Sequence, residues 1–391
     1  MITFEEALEI TGSVTVVPVR ETVDLVQSAG RILAEDIFSD VEMPPFDKAA
    51  VDGFACRRED LPGPLEVVEV IPAGIVPESV IGKGHCSRIM TGAMVPQGAD
   101  TVVMIEHTKT MGDGSVIYTA AGTSSNIAYR AEDVKLGAKV LEKSTLLKPQ
   151  HTAILAAVGI TNVPVFRKPV AGIISTGDEL TEPGNKPRPG QIRNSNSWQL
   201  IAQVENAGMD WHYAGIAADT PQSLRAMISE TLEKCDILLL TGGVSMGDYD
   251  HVPAVIKELG IEILFKSIAV QPGRPTVFGA GRDKYLFGLP GNPVSAFVQF
   301  EMLVRPLANR MMGHLYNPRV IALPTASDFI RKKAVRKSFI PVKINSGNSI
   351  EPLEYHGSAH IHSYAEADGI IAIEIGETKI PKGALKNVRL L

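Results

Sequence analysis

Between Lys168 and Gly313 the chain alternates short apolar runs with longer amphipathic ones, and this alternation restricts its fold more than any other feature. "PVAGIIST", "WHYAGIAA", "DILLLTGG", "IEILFKSIAV" and "KYLFGLPG" read as buried strands. Between them, "NSNSWQLIAQVENAG", "TPQSLRAMISETLEKC", "HVPAVIKELG" and "NPVSAFVQFEMLVRPLANRMMG" read as helices. Thr220 before Pro221 and Asn292 before Pro293 supply N-caps, and Gly260 and Gly313 stand past helix ends. Strand–helix alternation of this kind predicts an α/β domain with a mainly parallel sheet, spanning 168–315.

The rest of the chain has other textures. Thr3 and Glu6 predict a capping box that opens a helix. "VDLVQSAGRILAEDI" carries Val23, Val26, Ile32 and Leu33 at spacings that suit a second helix, with Gly30 weakening it. Residues 39–136 are rich in Gly and Pro, with short β-branched runs such as "LEVVEVI", "DTVVMIEHT" and "SVIYTA", and predict a β-rich domain. "PQHTAILAAVGI" returns to helix from Pro149, so 1–38 and 137–167 group as a helical and linking domain. The last stretch, 316–391, predicts a small β domain from "KSFIPVKI", "GIIAIEIGE" and "KNVRLL". A chain of 391 residues exceeds what one core usually serves, which agrees with several domains.

Composition excludes some functions. A net charge of −6 with no Lys/Arg block argues against a nucleic-acid surface. No apolar run approaches the roughly 18 residues of a membrane span, and "MITFEEALEI" has acids where a signal peptide would carry Lys or Arg. Cys56, Cys86 and Cys235 are odd in number and scattered, which suits a reducing cytoplasm.

Three loops stand where a parallel sheet binds ligands, at the carboxyl ends of strands. They are "STGDEL" (175–180), "TGGVSMGDYD" (241–250) and "GLPGNPVS" (288–295). Gly242, Gly243 and Gly291 allow backbone N–H groups to face a ligand, and a helix starts at Pro293. Together they form a candidate phosphate cradle. Glu179, Asp219, Asp248 and Asp250 lie at the same strand ends. Carboxylates beside a phosphate need a hard cation between them, and Mg²⁺ is the expected one. For Asp219 and Asp248 an ordinary cap or turn role competes with that reading. Lys266 and Arg274 add basic groups nearby, and Arg336 sits in "RKKAVRKSF", whose default is a solvated edge. His356, His360 and His362 read as a polar strand and turn rather than as metal ligands.

In this order, "STGDEL", "GQIRNSN", "TGGVSMGDYD", "PGRP" and "GLPGNPVSA" resemble the molybdopterin molybdenumtransferase (MoeA) family, which shares its fold with the E domain of gephyrin. "MPPFDKAAVDGFA", "RIMTGAMVPQGADTVVMIE", "NIAYRAEDVKLGAKVL" and "GSAHIHSYAEADG" extend the resemblance over nearly the whole chain. It implies an elongated homodimer with four domains per chain: a central α/β molybdopterin-binding domain, a β-rich lid domain, a C-terminal β-barrel-like domain and the helical one. It also implies a reaction. Molybdate is inserted into the dithiolene of adenylylated molybdopterin, and AMP leaves in a Mg²⁺-dependent step. A molybdopterin adenylyltransferase then becomes a candidate partner. Carried over by position, the catalytic residues are Asp52, Thr91, Asp133, Glu179, Asp219 and Asp250, with Glu179, Asp219 and Asp250 as the metal set. Substrate would meet Gly242, Gly243, Ser245, Pro290, Gly291, Asn292, Pro293 and Ser295. Molybdate would meet Lys266, Gln271, Arg274, Arg336 and Ser358. Asp52 and Thr91 lie in the β-rich domain and reach the α/β site only if that domain closes over it from a partner subunit.

The chain departs from the family pattern at "QPGRP", where Gln271 stands in place of a lysine, and at Asp368, which replaces the usual Asn. An amide donates without charge, so the oxyanion site would lean on Arg274, whose guanidinium can grip an anion at two points. Two alternatives remain: an adenylyltransferase-like enzyme sharing only the α/β domain, and a gephyrin-like binding scaffold.

Overall fold

The computed structural model of the protein describes residues 1–243, 252–331, 333–353 and 359–391. Helix α1 (Phe4–Ser13) starts on the expected capping box: the Thr3 hydroxyl accepts from the Glu6 N–H at 3.1 Å, and the Glu6 carboxylate accepts from the Thr3 N–H at 2.7 Å. Its apolar side, Phe4 and Ala7, packs into the core of the α/β domain. Phe4 also meets Phe339 of the C-terminal sheet edge-on, with ring centroids 5.0 Å apart.

The second expected helix does not form. Arg20–Asp24 is a strand, β1, followed by a 3-10 turn at Leu25–Gln27. Gly30 has a φ of 81°, a left-handed conformation that no helix interior accepts. Val23, Ile32 and Leu33 find β partners instead, while Val26 stays exposed. Val23 and Glu21 lie opposite Val163 and Val165 of a later strand, and Leu33 bridges to Val165. Tertiary pairing overrides a helical spacing that was never strong.

In the β-rich region, β2 (Gly53–Cys56), β3 (Glu66–Ile71), β4 (His85–Ile89) and β5 (Thr101–Met104) form a sheet in the order β3-β4-β2-β5. The chain enters and leaves it through two adjacent crossings, where Met43 and Val134 exchange backbone hydrogen bonds of 2.8 and 3.0 Å. Helix α2 (Pro149–Ala157) begins at the expected proline, and β6 (Asn162–Phe166) pairs antiparallel with β1. Leu33, Leu141, Leu147, Leu155 and Val165 close a small core there.

The α/β domain is built on β7 (Val170–Thr176), β8 (Asp210–Ala217), β9 (Ile237–Thr241), β10 (Glu262–Phe265), β12 (Val277–Ala280) and β13 (Tyr285–Leu289), in the order β8-β7-β9-β13-β12-β10. The first four run parallel and the last two pairings are antiparallel, so the sheet is mixed. The reason is local. β12 and β13 are joined by a tight turn, with Gly281 N–H donating to the Lys284 carbonyl at 2.8 Å, and a tight turn makes neighbours antiparallel. The run "IEILFKSIAV" is also not one strand. It breaks at Lys266, and its second part, β11 (Val270–Gln271), leaves for another sheet.

The helices α3 (Asn196–Asn206), α4 (Pro221–Lys234), α5 (Val252–Glu258) and α6 (Pro293–Gln299) cover the two faces, and α6 continues through a π turn into α7 (Arg305–Met311). Thr220 caps α4 by accepting from the Ser223 N–H. Along β9, Leu239 faces the core built with α3 and α6, while Leu238 and Leu240 face the one built with α4 and α5. That period of two on a strand buried on both faces explains its unbroken apolar run.

Among its described residues the C-terminal region is an open sheet, not a closed barrel. Among the described residues its path runs β11-β15-β17-β18-β14, with β14 at Val320–Pro324, β15 at Lys337–Ile344, β17 at Gly369–Ile373 and β18 at Leu385–Leu390; β16 (Ile350–Pro352) pairs with β15. One edge strand, β11, comes from the α/β domain and pairs with β15. His360 and His362 fall on or beside a 3-10 turn at Ile361–Tyr364 rather than on a strand. No helix among the described residues is long and apolar enough to cross a membrane.

The docking of α1 is testable. Thr3→Ala removes one cap and should cost about 1 kcal/mol. Phe4→Ala empties a buried aromatic site and should cost about 3–5 kcal/mol. Urea denaturation ranks the two, and an equal or reversed order would show that Phe4 does not anchor the helix.

Candidate active site

The carboxyl ends of β7, β9 and β13 open into a cavity of about 290 Å³. Ser175, Thr176 and Glu179 line it from the first loop, Thr241 and Gly242 from the second, and Gly291, Asn292 and Pro293 from the third. The parallel register sets this up: Ser175 lies beside Thr241, and Thr241 beside Leu289, so the three strands stop at one level. Gly242 has a φ of 85°, and a Cβ there would stand 2.4 Å from the Thr176 carbonyl oxygen. A Cβ at Gly291 would lie 3.7 Å from the Gly242 Cα, and the Gly242 N–H donates to the Leu289 carbonyl at 3.3 Å. The two glycine turns are therefore packed backbone to backbone, and α6 starts directly behind them. Backbone N–H groups at such a place, with a helix start, can hold a phosphate.

A group of buried polar side chains holds the loops. Asn196 donates from Nδ2 to the Thr241 hydroxyl and to the Gly291 carbonyl, each at 2.8 Å. Asn194 is 1% exposed; it accepts from the Ser175 hydroxyl at 3.0 Å and donates to the Tyr213 hydroxyl at 3.0 Å. Tyr213 donates in turn to Glu182, and its phenol is pushed up to about 12, first by burial and then by that carboxylate. Neither asparagine was singled out from the sequence, although "RNSN" ahead of a helix is a dense cluster of groups that must find partners if buried. The Thr176 hydroxyl, also in the lining, is buried with no hydrogen-bond partner among the described residues.

Other expected residues lie elsewhere. Pro290 supplies a carbonyl facing the Thr241 hydroxyl at 3.5 Å, Gly243 follows Gly242, and Ser295 is buried in α6. Asp219 is not in the lining; its N–H donates to the Asp178 carboxylate at 3.3 Å, which ties the loop after β8 to the loop after β7. Ser245, Asp248, Asp250 and Ser358 fall outside the described residues. Ala359, next to Ser358, does line the cavity and carries it to the C-terminal region.

The expected oxyanion residues gather at the seam between the α/β and C-terminal sheets. Val270 and Gln271 pair with Lys337 and Ser338, and Arg336 donates to the Val270 carbonyl at 3.4 Å. The Ile268 N–H donates to the Arg274 carbonyl at 2.9 Å and closes the same loop, with Lys266 exposed at its start. None of Lys266, Gln271, Arg274 and Arg336 lines the strand-end cavity.

Asp52 and Thr91 are brought together, but not to the cavity. Asp52 accepts from the Thr91 N–H at 2.6 Å and from its hydroxyl at 2.7 Å. Those bonds, the backbone one first, hold the Asp52 carboxyl below its usual range. Asp133 lines a separate cavity at the crossing into the β-rich sheet, with Met43, Lys135 and Ile154. Among the described residues, no three His, Cys, Asp or Glu side chains gather as a metal-binding group. The three thiols are buried, and burial lifts Cys56 and Cys86 to about 12 and Cys235 to about 11, which makes them poor nucleophiles.

Two predictions follow from this geometry. Ionised Asp52 is favoured by the fold, so its contribution is present above the unfolded carboxyl pKa and is lost as pH falls through the lower folded value. Thr91→Val keeps the backbone donor and removes the hydroxyl, so the Asp52 pKa should rise while staying below normal. A ¹³C NMR titration of the carboxyl reads this, and an unmoved pKa would refute the hydroxyl's part. Asn196→Ala should cost about 1–3 kcal/mol in thermal unfolding by leaving buried groups unpaired. Asn196→Asp should cost more, because it sets a carboxylate against the Gly291 carbonyl. A smaller loss for Asp than for Ala would contradict the assigned amide orientation.

Comparison with known proteins covers the same regions. Residues 2–159 match the MoeA N-terminal region (domains I and II), 172–310 a probable molybdopterin binding domain, and 323–391 the MoeA C-terminal region (domain IV). The molybdopterin molybdenumtransferase of Bacillus subtilis is 42% identical over 298 residues, 73% of this chain and 69% of that protein. That of Staphylococcus aureus is 35% identical over 373 residues, 93% of this chain and 89% of the other. The crystal structure of the molybdopterin biosynthesis MoeA protein from Pyrococcus horikoshii superimposes over 100% of both chains, with a TM-score of 0.86 and 31% identity. With its N-terminal, central and C-terminal regions all matched, the chain belongs to the MoeA family of molybdopterin molybdenumtransferases.

Proposed function

We propose that the protein transfers molybdenum from molybdate to adenylylated molybdopterin and releases AMP in a Mg²⁺-dependent step. The observation that supports this most is the cavity at the ends of β7, β9 and β13, where Gly242 and Gly291 meet under the Asn196 clamp. The backbone there suits the phosphates of the substrate, and the buried polar wall at Asn194 and Asn196 keeps its shape. The match of all three regions counts against an adenylyltransferase that shares the α/β domain alone.

The donor set fits Mg²⁺ better than a softer ion. Glu179 lines the cavity, and Asp219 follows the adjacent strand β8, so the donors on offer are carboxylate oxygens, the hard class that Mg²⁺ on a phosphate takes. Glu179 and Asp219 would hold it together with Asp250. Bound there, Mg²⁺ would neutralise phosphate oxygens that the acids otherwise repel. Molybdate would be held by Lys266, Gln271, Arg274, Arg336 and Ser358. Because Gln271 is uncharged, the guanidinium groups carry most of the oxyanion's charge.

The working unit is a homodimer in this reading. Asp52 and Thr91 form an exposed couple away from the cavity of their own chain, so they act only on that of a second copy. Mixed dimers of Asp52→Ala and Glu179→Ala chains then keep one intact composite site. The measurement is AMP release from adenylylated molybdopterin with Mg²⁺ and molybdate, for each variant alone and after subunit exchange. Each variant should be inactive alone and the mixture active. An inactive mixture in which exchange is demonstrated would refute the shared site, and a wild-type protein that releases no AMP would refute the reaction.

A further inference from the structure

Arg331 stands at the end of a short strand, Phe329–Ile330, five residues before Arg336. Its guanidinium is partly buried and makes four hydrogen bonds. Nε donates to the Glu377 carbonyl at 2.7 Å and Nη2 to the Glu374 carbonyl. Nη1 donates to the Arg336 carbonyl at 3.0 Å and to the Ser338 hydroxyl at 2.6 Å. Every one of these acceptors is a neutral oxygen, and three are backbone. An arrangement of that kind serves geometry rather than charge neutralisation, and only the planar fork of arginine can span it.

Its location gives the brace a purpose. Arg336 and Ser338 flank Lys337, which lies opposite Val270, and Ser338 lies opposite Gln271. Arg331 thus grips the chain on both sides of the register that joins β15 to β11. The far end of the brace is itself anchored: Gly376 N–H donates to the Ala334 carbonyl at 2.8 Å, and Lys386 pairs with the Glu377 carboxylate at 2.6 Å. Lys337 is engaged by Glu5 at 2.6 Å and by Glu374 at 2.9 Å, so its charge is already matched. The Arg336 side chain points to the Val270 carbonyl, one residue from Gln271.

We infer that Arg331 is a positioning residue for the oxyanion site: it fixes the backbone at Arg336 and Ser338, and so aims the Arg336 guanidinium at the loop of Gln271 and Arg274. The inference rests on the proposed role of Arg336 in holding molybdate. Arg331→Met removes the brace and its charge. Arg331→Lys keeps the charge and loses the fork. Ser338→Ala removes one acceptor and leaves both arginines.

The test measures molybdate binding to the full-length protein by isothermal titration, with thermal melting for each variant and the molybdate KM against kcat for AMP release. Arg336→Ala is the reference. Arg331→Met and Arg331→Lys should each weaken molybdate binding about tenfold, because a misaimed Arg336 loses its own charged contact. KM should rise in step while kcat at saturating molybdate stays near wild type. Ser338→Ala should show a smaller change in the same direction, and it is decisive should the Arg331 variants not fold. Unchanged binding in these variants, with Arg336→Ala weakened, would overturn the positioning role. So would wild-type affinity in Arg331→Lys, which would mean that charge alone matters, or a fall in kcat and melting temperature with KM unmoved. If Arg336→Ala binds molybdate as wild type does, the assignment of Arg336 fails and this inference fails with it.

Discussion

The level at which β7, β9 and β13 end is the constraint on which the candidate site depends. Parallel strands need crossovers, and crossovers by helices leave the carboxyl ends of the strands open on one side. Ser175, Thr241 and Leu289 share that level by register. Just past β7 and β9 stand glycines of positive φ, Gly177 and Gly242. Gly242 has no room for a side chain against the Thr176 carbonyl, so the chain can leave β9 there only through a bare residue. A single buried amide, Asn196, then holds two of the loops at a set distance. The cavity is the space left over, and its polarity comes from groups that the fold had to bury.

The second organising feature is the departure of β11 from the α/β sheet. Once the chain breaks at Lys266, Val270 and Gln271 pair with Lys337 and Ser338, and the two sheets become joined. The N-terminal residues reinforce the seam: the Ala269 N–H donates to the Ile2 carbonyl at 2.7 Å, and Glu5 reaches Lys337. The same pairing brings the basic residues of two domains to one edge. Charge that would be a solvated run in isolation acquires fixed neighbours there, and the Arg331 brace belongs to that edge.

Local signals were legible wherever they are satisfied locally. The capping box at Thr3 and Glu6, the proline starts at Pro149, Pro221 and Pro293, and the glycine-bearing strand ends depend on neighbours within a few residues. The segment from Val23 to Ile37 shows the limit. Its spacing suits a helix, yet Gly30 interrupts it and a strand some 140 residues later offers a better partner for Val23. The missed strand Val277–Ala280 is similar: a short run beside Gly and Pro has no periodicity to read, and it becomes a strand because it lies between Glu262–Phe265 and Tyr285–Leu289.

The sequence by itself determined the alternation of the central domain, its helix caps, the bare loops at its strand ends and, through ordered motifs, the family. Only the tertiary structure decided that Asn194 and Asn196 hold those loops, that β11 changes sheets, and that Asp52 and Thr91 form a couple outside their own chain's cavity. The physical reason is the range of the interactions. Caps and turns are satisfied within one turn of chain, whereas a buried amide or an unpaired strand edge takes whichever distant partner the folded chain presents.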